Sequence, residues 1–393
     1  MKGLINELTG IRKIPEFYEA LVANGLLRYD ERFISVEMDI SSGCNLKCVM
    51  CYHSLNKYAK EKSSFITPDM FSRISESLFP YAQSLTLSLG HEPLTSPYFC
   101  ELLRMSSKYD IPQILFSTNG ILLNEGIIDE ILSCRVTKVI ISIDGAIQKT
   151  FESIRRGANY EGLLKNINLL VRKKQAITSP YPIIRVDVVL MKSNIHELEE
   201  IVDLAADSGA EEINLSHVVV YKGLAMESES LFHYKDVSNY WLTRALHRAK
   251  KRRLSVVSHP EYFILQGEDR GKNERATAGS VQKKLIRFIF SEKARSRPNK
   301  LSAFQKSPYC FFPFFHVSLN AAGKILACPF SHGEGAFGSI LEDKTFEEMW
   351  FGKKFNKLRK HILEKSPPKM CRRCTFLSIH NTDIKKLFEP RKP

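Results

Sequence analysis

Three cysteines, Cys44, Cys48 and Cys51, fall in the run Gly43-Cys44-Asn45-Leu46-Lys47-Cys48-Val49-Met50-Cys51-Tyr52. A C-x3-C-x2-C group on one short loop supplies three soft thiolates, the donors that hold iron–sulfur clusters. Three ligands leave one iron of a 4Fe–4S cube without a protein donor, and an open metal position is where chemistry occurs. The same loop could instead form a zinc site, with His53 as fourth ligand. A second set lies far downstream, at Cys310, Cys328 and the pair Cys371-Arg372-Arg373-Cys374. Four thiolates ligate one cluster completely, or make a full tetrahedral zinc site.

These groups need a frame. From Ile34 to Ser216 the sequence alternates β-rich runs with helical ones, the pattern of βα units around a parallel sheet. Strands are expected at 34–40, 85–89, 113–117, 138–143, 183–190 and 212–216. Thr67 followed by Pro68 is a helix start signal. The stretches 160–174 and 195–206 repeat apolar residues on one helical face. In parallel α/β architectures ligands bind beyond the C-terminal ends of the strands. The cysteine loop leaves the first strand. Gly90-His91-Glu92-Pro93 leaves the second, Ser117-Thr118-Asn119-Gly120 the third and Ser142-Ile143-Asp144-Gly145 the fourth. Glu92 offers a hydrogen-bond acceptor, and Gly90 lets backbone approach a ligand closely. The small polar residues of the last two also suit caps for the helices that follow.

In this order and spacing, the cysteine loop and strand-end motifs resemble those of radical S-adenosylmethionine (SAM) enzymes. The resemblance covers Ile34 to His217 and implies a partial (βα)6 barrel, open on one side to admit substrate. It also implies a 4Fe–4S cluster on Cys44, Cys48 and Cys51 whose open iron chelates SAM. SAM is then cleaved to methionine and a 5′-deoxyadenosyl radical, which abstracts a substrate hydrogen. Gly90, His91, Glu92 and Pro93 would hold the SAM ammonium. Ser117, Asn119, Ser142 and Asp144 would meet its ribose and carboxylate, and Arg155 would lie near the carboxylate.

The downstream C-x12-G-x4-C … C-x2-C arrangement resembles the SPASM/twitch extension of the same enzymes. It implies one auxiliary 4Fe–4S cluster on Cys310, Cys328, Cys371 and Cys374, with zinc as the lesser alternative. Asn320–Gly323 reads as the turn of a β-hairpin there. Sulfatase-maturing relatives carry an aspartate after the cysteine matching Cys328, where this chain has Pro329, so that route of proton transfer is not expected. Tyr309, His316, His332 and Glu334 are the replacement acid/base candidates. Cys100 and Cys134 fall in apparent helices and read as small buried residues.

The chain has 393 residues, 44% hydrophobic and 25% charged, an ordinary globular composition. It shows no signal peptide and no apolar run of membrane length, so a cytoplasmic location with reduced thiols is expected, and no membrane partner. Nine cysteines in that setting point to metal rather than disulfides. Of the net charge of +14, half sits in the segment 269–300. That run suits a solvated surface or an anionic substrate; nucleic acid is not expected, because no aromatic interleaving accompanies it. The domain reading is an N-terminal helical lead-in at 1–33, the barrel at 34–253, a basic linker or insertion at 254–308 and the small iron–sulfur domain at 309–393. The lead-in is too short for the peptide-binding domain many relatives carry. Oxidation or epimerisation of a small metabolite such as a sugar or aminocyclitol, with an anionic one among the options, is therefore expected, with a flavodoxin or ferredoxin as electron donor. Peptide or protein modification is the alternative. The rival from another class is a non-catalytic, zinc-stabilised binding protein.

Overall fold

Seven short β-rich runs form parallel strands: β1 (Ile34–Met38), β2 (Ala82–Thr86), β3 (Ile114–Thr118), β4 (Lys138–Ser142), β5 (Ile183–Leu190), β6 (Glu212–His217) and β7 (Ser255–Ser258). Between them run α1 (Pro68–Leu78), α2 (Phe99–Ser106), α3 (Glu125–Ser133), α4 (Gln148–Ile154), α5 (Tyr160–Ala176), α6 (Leu198–Asp207) and α7 (Lys235–Lys251). The structure is a computed structural model. It describes residues 32–55, 63–221, 223–260, 262–263, 310, 312–329, 336–342, 344–364, 366, 368 and 371. Each of the seven strands lies beside its predecessor in the chain, so the sheet grows in one direction. That order builds a barrel wall; a doubly wound sheet reverses at a switch point.

Alternation along the strands separates two faces. Ile34, Val36 and Met38 are fully buried and share one core with Phe71, Ile74 and Leu78 of α1. Ser35 and Glu37 point the other way, to the inner face. That face is polar: Ser35 Oγ lies 2.7 Å from Ser84 Oγ, and Arg185 Nε lies 2.6 Å from Asp187 Oδ1. Asn214 Nδ2 donates to Asp187 Oδ2 at 3.2 Å, and Lys138 Nζ pairs with Glu212 Oε2 at 2.5 Å. Thr67 caps α1, its side chain accepting from the Met70 amide.

The C-terminal region contributes α8 (Phe312–Phe315), β8 (His316–Leu319), β9 (Lys324–Leu326), β10 (Ala336–Ser339), α9 (Phe346–Trp350) and α10 (Lys353–Leu363). The expected hairpin is present: β8 and β9 are antiparallel. Asn320 closes its turn by accepting from the amides of Ala322 and Lys324, and Gly323 takes φ +70°. β8 also pairs with β1 in parallel, opposite the edge taken by β2, so the hairpin continues the barrel sheet. The full strand order is β10-β9-β8-β1-β2-β3-β4-β5-β6-β7. Arg359 of α10 is buried over the Trp350 ring at 4.5 Å and donates to the Pro313 carbonyl at 2.7 Å, tying α10 to α8.

Several boundaries differ from those expected. β2 begins three residues early, because pairing with Ile34 recruits Ala82 although its local sequence is not β-rich. Between β6 and β7, where no helix boundary is assigned from sequence, the chain forms the short turns Glu227–Glu229 and Leu231–His233 and then α7. β7 falls inside the segment read as a linker, its four residues held by pairing with β6. The lead-in up to residue 31 and the basic segment 269–300 lie outside the described residues. Among the described residues, no helix is long and apolar enough to cross a membrane.

Candidate active site at the strand ends

The cysteine loop follows β1 and is pinned from both sides. Lys47 N donates to Arg156 O and Val49 N to Ile154 O, each at 2.9 Å, so the loop runs along the end of α4. On the other side Glu92 N donates to Gly43 O at 3.1 Å, and Asn119 Nδ2 donates to Asn45 Oδ1 at 2.8 Å. Three strand-end segments predicted to act together therefore meet. Donors already face sulfur: Leu46 N lies 3.4 Å from Cys44 Sγ, Asn119 Nδ2 lies 3.9 Å from it, and the amides of His53 and Ser54 face Cys51. Burial pushes all three thiols up, Cys48 to about 11, while the charge of Arg155 pulls each back. Soft donors, N–H groups aimed at sulfur and a buried cation together fit a thiolate-ligated iron–sulfur cluster. Among the described residues no group of three or more His, Cys, Asp or Glu side chains gathers as it would around a single metal ion.

Glu92 is buried, and its carboxylate already takes three donors. Thr118 Oγ1 at 2.7 Å and Leu94 N at 3.2 Å serve Oε1; Asn119 N at 2.7 Å serves Oε2. Burial pushes its pKa up against these donors and the charge of Arg155. A carboxylate offers about four acceptor positions, so one remains for a further donor such as an ammonium. Pro93 and Leu94 are buried in the turn that follows. Gly90 leaves no room for a side chain: a Cβ there would come within 2.9 Å of Tyr52 Oη and 3.3 Å of His53 Nε2.

Asp144 and Arg155 do come together, but with each other. Arg155 Nη2 lies 2.7 Å from Asp144 Oδ2, and Val189 N donates to Asp144 Oδ1 at 2.8 Å. Asp144 is fully buried, so its carboxylate holds Arg155 and β5. Burial opposes the charge on Arg155, and the Asp144 carboxylate outweighs it, so the guanidinium stays charged. Arg155 Nε is buried and makes no hydrogen bond among the described residues, a donor suited to an anionic ligand. Ser117 is placed by its own amide, which donates to Ser88 Oγ at 2.8 Å; Ser142, half-buried, ends β4 on the inner face.

Two acidic residues escaped the sequence reading. Asp39, just beyond β1, accepts on Oδ1 from the amides of Leu89 (2.9 Å), Gly90 (2.9 Å) and His91 (3.1 Å). Its Oδ2 lies 2.8 Å from His91 Nδ1, and the His91 ring packs against that of His53, tilted by 44° with the ring centres 3.6 Å apart. His91 thus faces protein groups on two sides. Glu37 lies 3.2 Å from Nε2 of His316, which opens β8 on the inner face. Their place was the available signal: Glu37 lies on the strand that leads into the cysteine loop, and Asp39 just past its end. Tyr309, His332 and Glu334 lie outside the described residues, as does Cys374. In the chain Cys310 precedes α8 and Cys328 follows β9, and Cys310 and Cys371 both pack, half-buried, against the core. Cys100 is half-buried in α2, and the Cys134 thiol donates to Glu130 Oε1 at 3.3 Å.

Comparison with known proteins follows the same division. A family model described as the radical SAM superfamily matches residues 38–205, and the SPASM model, described as an iron–sulfur cluster-binding domain, matches 310–375. The chain is 24% identical over 240 residues to an AdoMet-dependent heme synthase of Methanosarcina barkeri, covering 60% of this chain and 65% of that protein. It is 24% identical over 183 residues to a probable GTP 3',8-cyclase of Methanocaldococcus jannaschii, covering 47% of this chain and 58% of that protein. The matched region thus spans less than two thirds of either relative. Among solved structures, Streptococcus suis SuiB bound to S-adenosylmethionine superposes with a TM-score of 0.60 at 13% identity, over 92% of this chain and 75% of that one. The structure of anSMEcpe with bound AdoMet gives 0.59 at 16% identity, over 88% of each chain. At such identities the likeness is one of fold.

Proposed function

Because the chain belongs to the radical SAM superfamily and carries its SPASM iron–sulfur domain, we propose that it oxidises or epimerises a small, hydroxyl-bearing metabolite such as a sugar or aminocyclitol. Membership implies a 4Fe–4S cluster that works with SAM, and auxiliary iron–sulfur in the SPASM domain. When bound, the cluster and SAM supply one-electron cleavage of SAM and abstraction of a hydrogen atom from the substrate. The residues of this chain hold and orient. Cys44, Cys48 and Cys51 ligate the cluster, and Cys310, Cys328, Cys371 and Cys374 ligate a single auxiliary one. Glu92 accepts from the SAM ammonium. Arg155, held by Asp144, turns its Nε toward the SAM carboxylate, and Gly90 lets Tyr52 and His53 pack against the loop. Ser117, Asn119 and Ser142 complete the polar rim. The electron comes from a donor of flavodoxin or ferredoxin type.

One observation carries the catalytic reading: the cysteine loop, Glu92, Asn119 and the Arg155–Asp144 pair converge at the C-terminal ends of β1 to β4. The polar inner face supports the substrate class, since hydroxyl groups find donors and acceptors there. The test is anaerobic reconstitution followed by iron, sulfide and zinc analysis. About eight irons with matching sulfide per chain are expected, two cubanes at about four each. Reduced protein given SAM should release 5′-deoxyadenosine, faster with polyol substrates than with peptides. Changing Cys44, Cys48 and Cys51 to Ser should leave about four irons and no cleavage. Two zincs without sulfide would sink the proposal, and turnover of peptides alone would move it to peptide modification.

A further inference from the structure

We propose that Asp39 is a positioning residue for the SAM site, holding the Leu89–His91 backbone so that Glu92 faces the SAM ammonium. The proposal rests on the reading of Glu92 given above. Asp39 is 5% exposed and lies one residue beyond the end of β1, five residues before Cys44. Its position is fixed from behind, because its own amide donates to Leu319 O of β8 at 3.0 Å. From there the carboxylate reaches across to the loop leaving β2. One oxygen collects three consecutive amides, at 2.9, 2.9 and 3.1 Å, and the other meets the His91 ring at 2.8 Å.

Three backbone donors in a row, Leu89 and His91 half-buried and Gly90 exposed, converge on this one buried acceptor, and no other oxygen is seen to serve them among the described residues. Without it they would lose their partner, and the loop would rearrange to regain one. Glu92 follows directly, so a shift at Gly90 or His91 displaces its carboxylate from Thr118 and Asn119. Burial raises the Asp39 pKa, but the His91 ring and the amides of Gly90 and Leu89 outweigh it, so the acceptor stays ionised near neutrality. The residue ties β8 and the strand that leads into the cysteine loop to the loop that carries Glu92, without lying among the ligands of the cluster.

The test uses the reconstituted protein and SAM itself. Asp39→Ala should weaken SAM binding by roughly ten- to a hundred-fold, the range found when residues supporting a ligand shell are removed. Iron content should not change. Amide exchange at Leu89, Gly90 and His91 should quicken, and the SAM-induced change in the EPR signal of the reduced cluster should need correspondingly more SAM. Asp39→Asn, which keeps one acceptor oxygen but loses the charge, should fall between wild type and Asp39→Ala. It carries the test alone if the alanine variant loses its clusters. Glu92→Gln is the companion variant. If Glu92→Gln weakens SAM binding while both Asp39 variants bind within two-fold of wild type, the positioning role is wrong. If Glu92→Gln itself binds SAM normally, the reading of Glu92 fails first and this inference falls with it.

Discussion

Cys48 is the most buried of the three loop cysteines, and its environment sets two opposed demands. Burial pushes the thiol up to about 11, whereas a cluster ligand must be a thiolate. Arg155 is the buried cation that narrows this gap, and iron completes the work by displacing the proton. In the cluster-free chain, Cys48 alkylation at pH 8 should therefore be at least about a hundred-fold slower than that of an ordinary cysteine near 8.5. Its rate should still be climbing at pH 10, because the thiolate fraction grows until the pH passes the raised pKa. Mass-spectrometric alkylation across pH reads this within one residue, so accessibility cancels. Replacing Arg155 with Met should slow the reaction further; an unchanged rate would remove the cation from this role, and a wild-type plateau near pH 9 would remove the raised pKa.

At the scale of elements, β4 and α4 meet at Gly145. A Cβ there would lie 2.6 Å from Phe151 N and 3.0 Å from Phe151 Cα, both backbone atoms that cannot swing aside. Gly145→Ala must push α4 away from β4, and overpacking of this kind costs about 1–3 kcal/mol. The consequence reaches the site, since Asp144 precedes this glycine and Arg155 ends α4. Denaturant unfolding should show the loss, and cluster retention under chelator should fall with it. An unchanged midpoint would mean that α4 is free to shift without cost.

For the molecule as a whole, the C-terminal hairpin is part of the barrel sheet. β8 covers the β1 edge with four registered residue pairs, next to the strand that leads into the cysteine loop. Ending the chain at residue 309 should leave that edge bare, a template for aggregation. Such a chain should also lose the cluster on Cys44, Cys48 and Cys51. Replacing Cys310, Cys328, Cys371 and Cys374 by Ser should cost far less, because β8 and its pairing remain. Size-exclusion profiles and iron content of the two variants separate strand support from cluster support. Equal damage from both would mean that the auxiliary cluster holds the hairpin in place.

Much of this was legible in the chain. Thiolate spacing is local, so Cys44, Cys48 and Cys51 declare themselves within eight residues. The alternation of β-rich and helical runs announces a parallel sheet, and the strand-end motifs mark where its ligands lie. Thr67, Asn320 and Gly323 act through short-range hydrogen bonds and backbone angles, which sequence states directly. What depends on distant partners was hidden. Only the folded sheet shows that β2 starts at Ala82 against Ile34, that β7 is a strand, and that β8 pairs with β1. Only the fold turns Asp144 into the partner of Arg155, and Asp39 into the acceptor for a loop fifty residues away. The sequence by itself determined which chemistry is present and on which loops. The tertiary structure decided which carboxylate meets a ligand and which holds another residue, because hydrogen-bond partners are chosen by proximity in space.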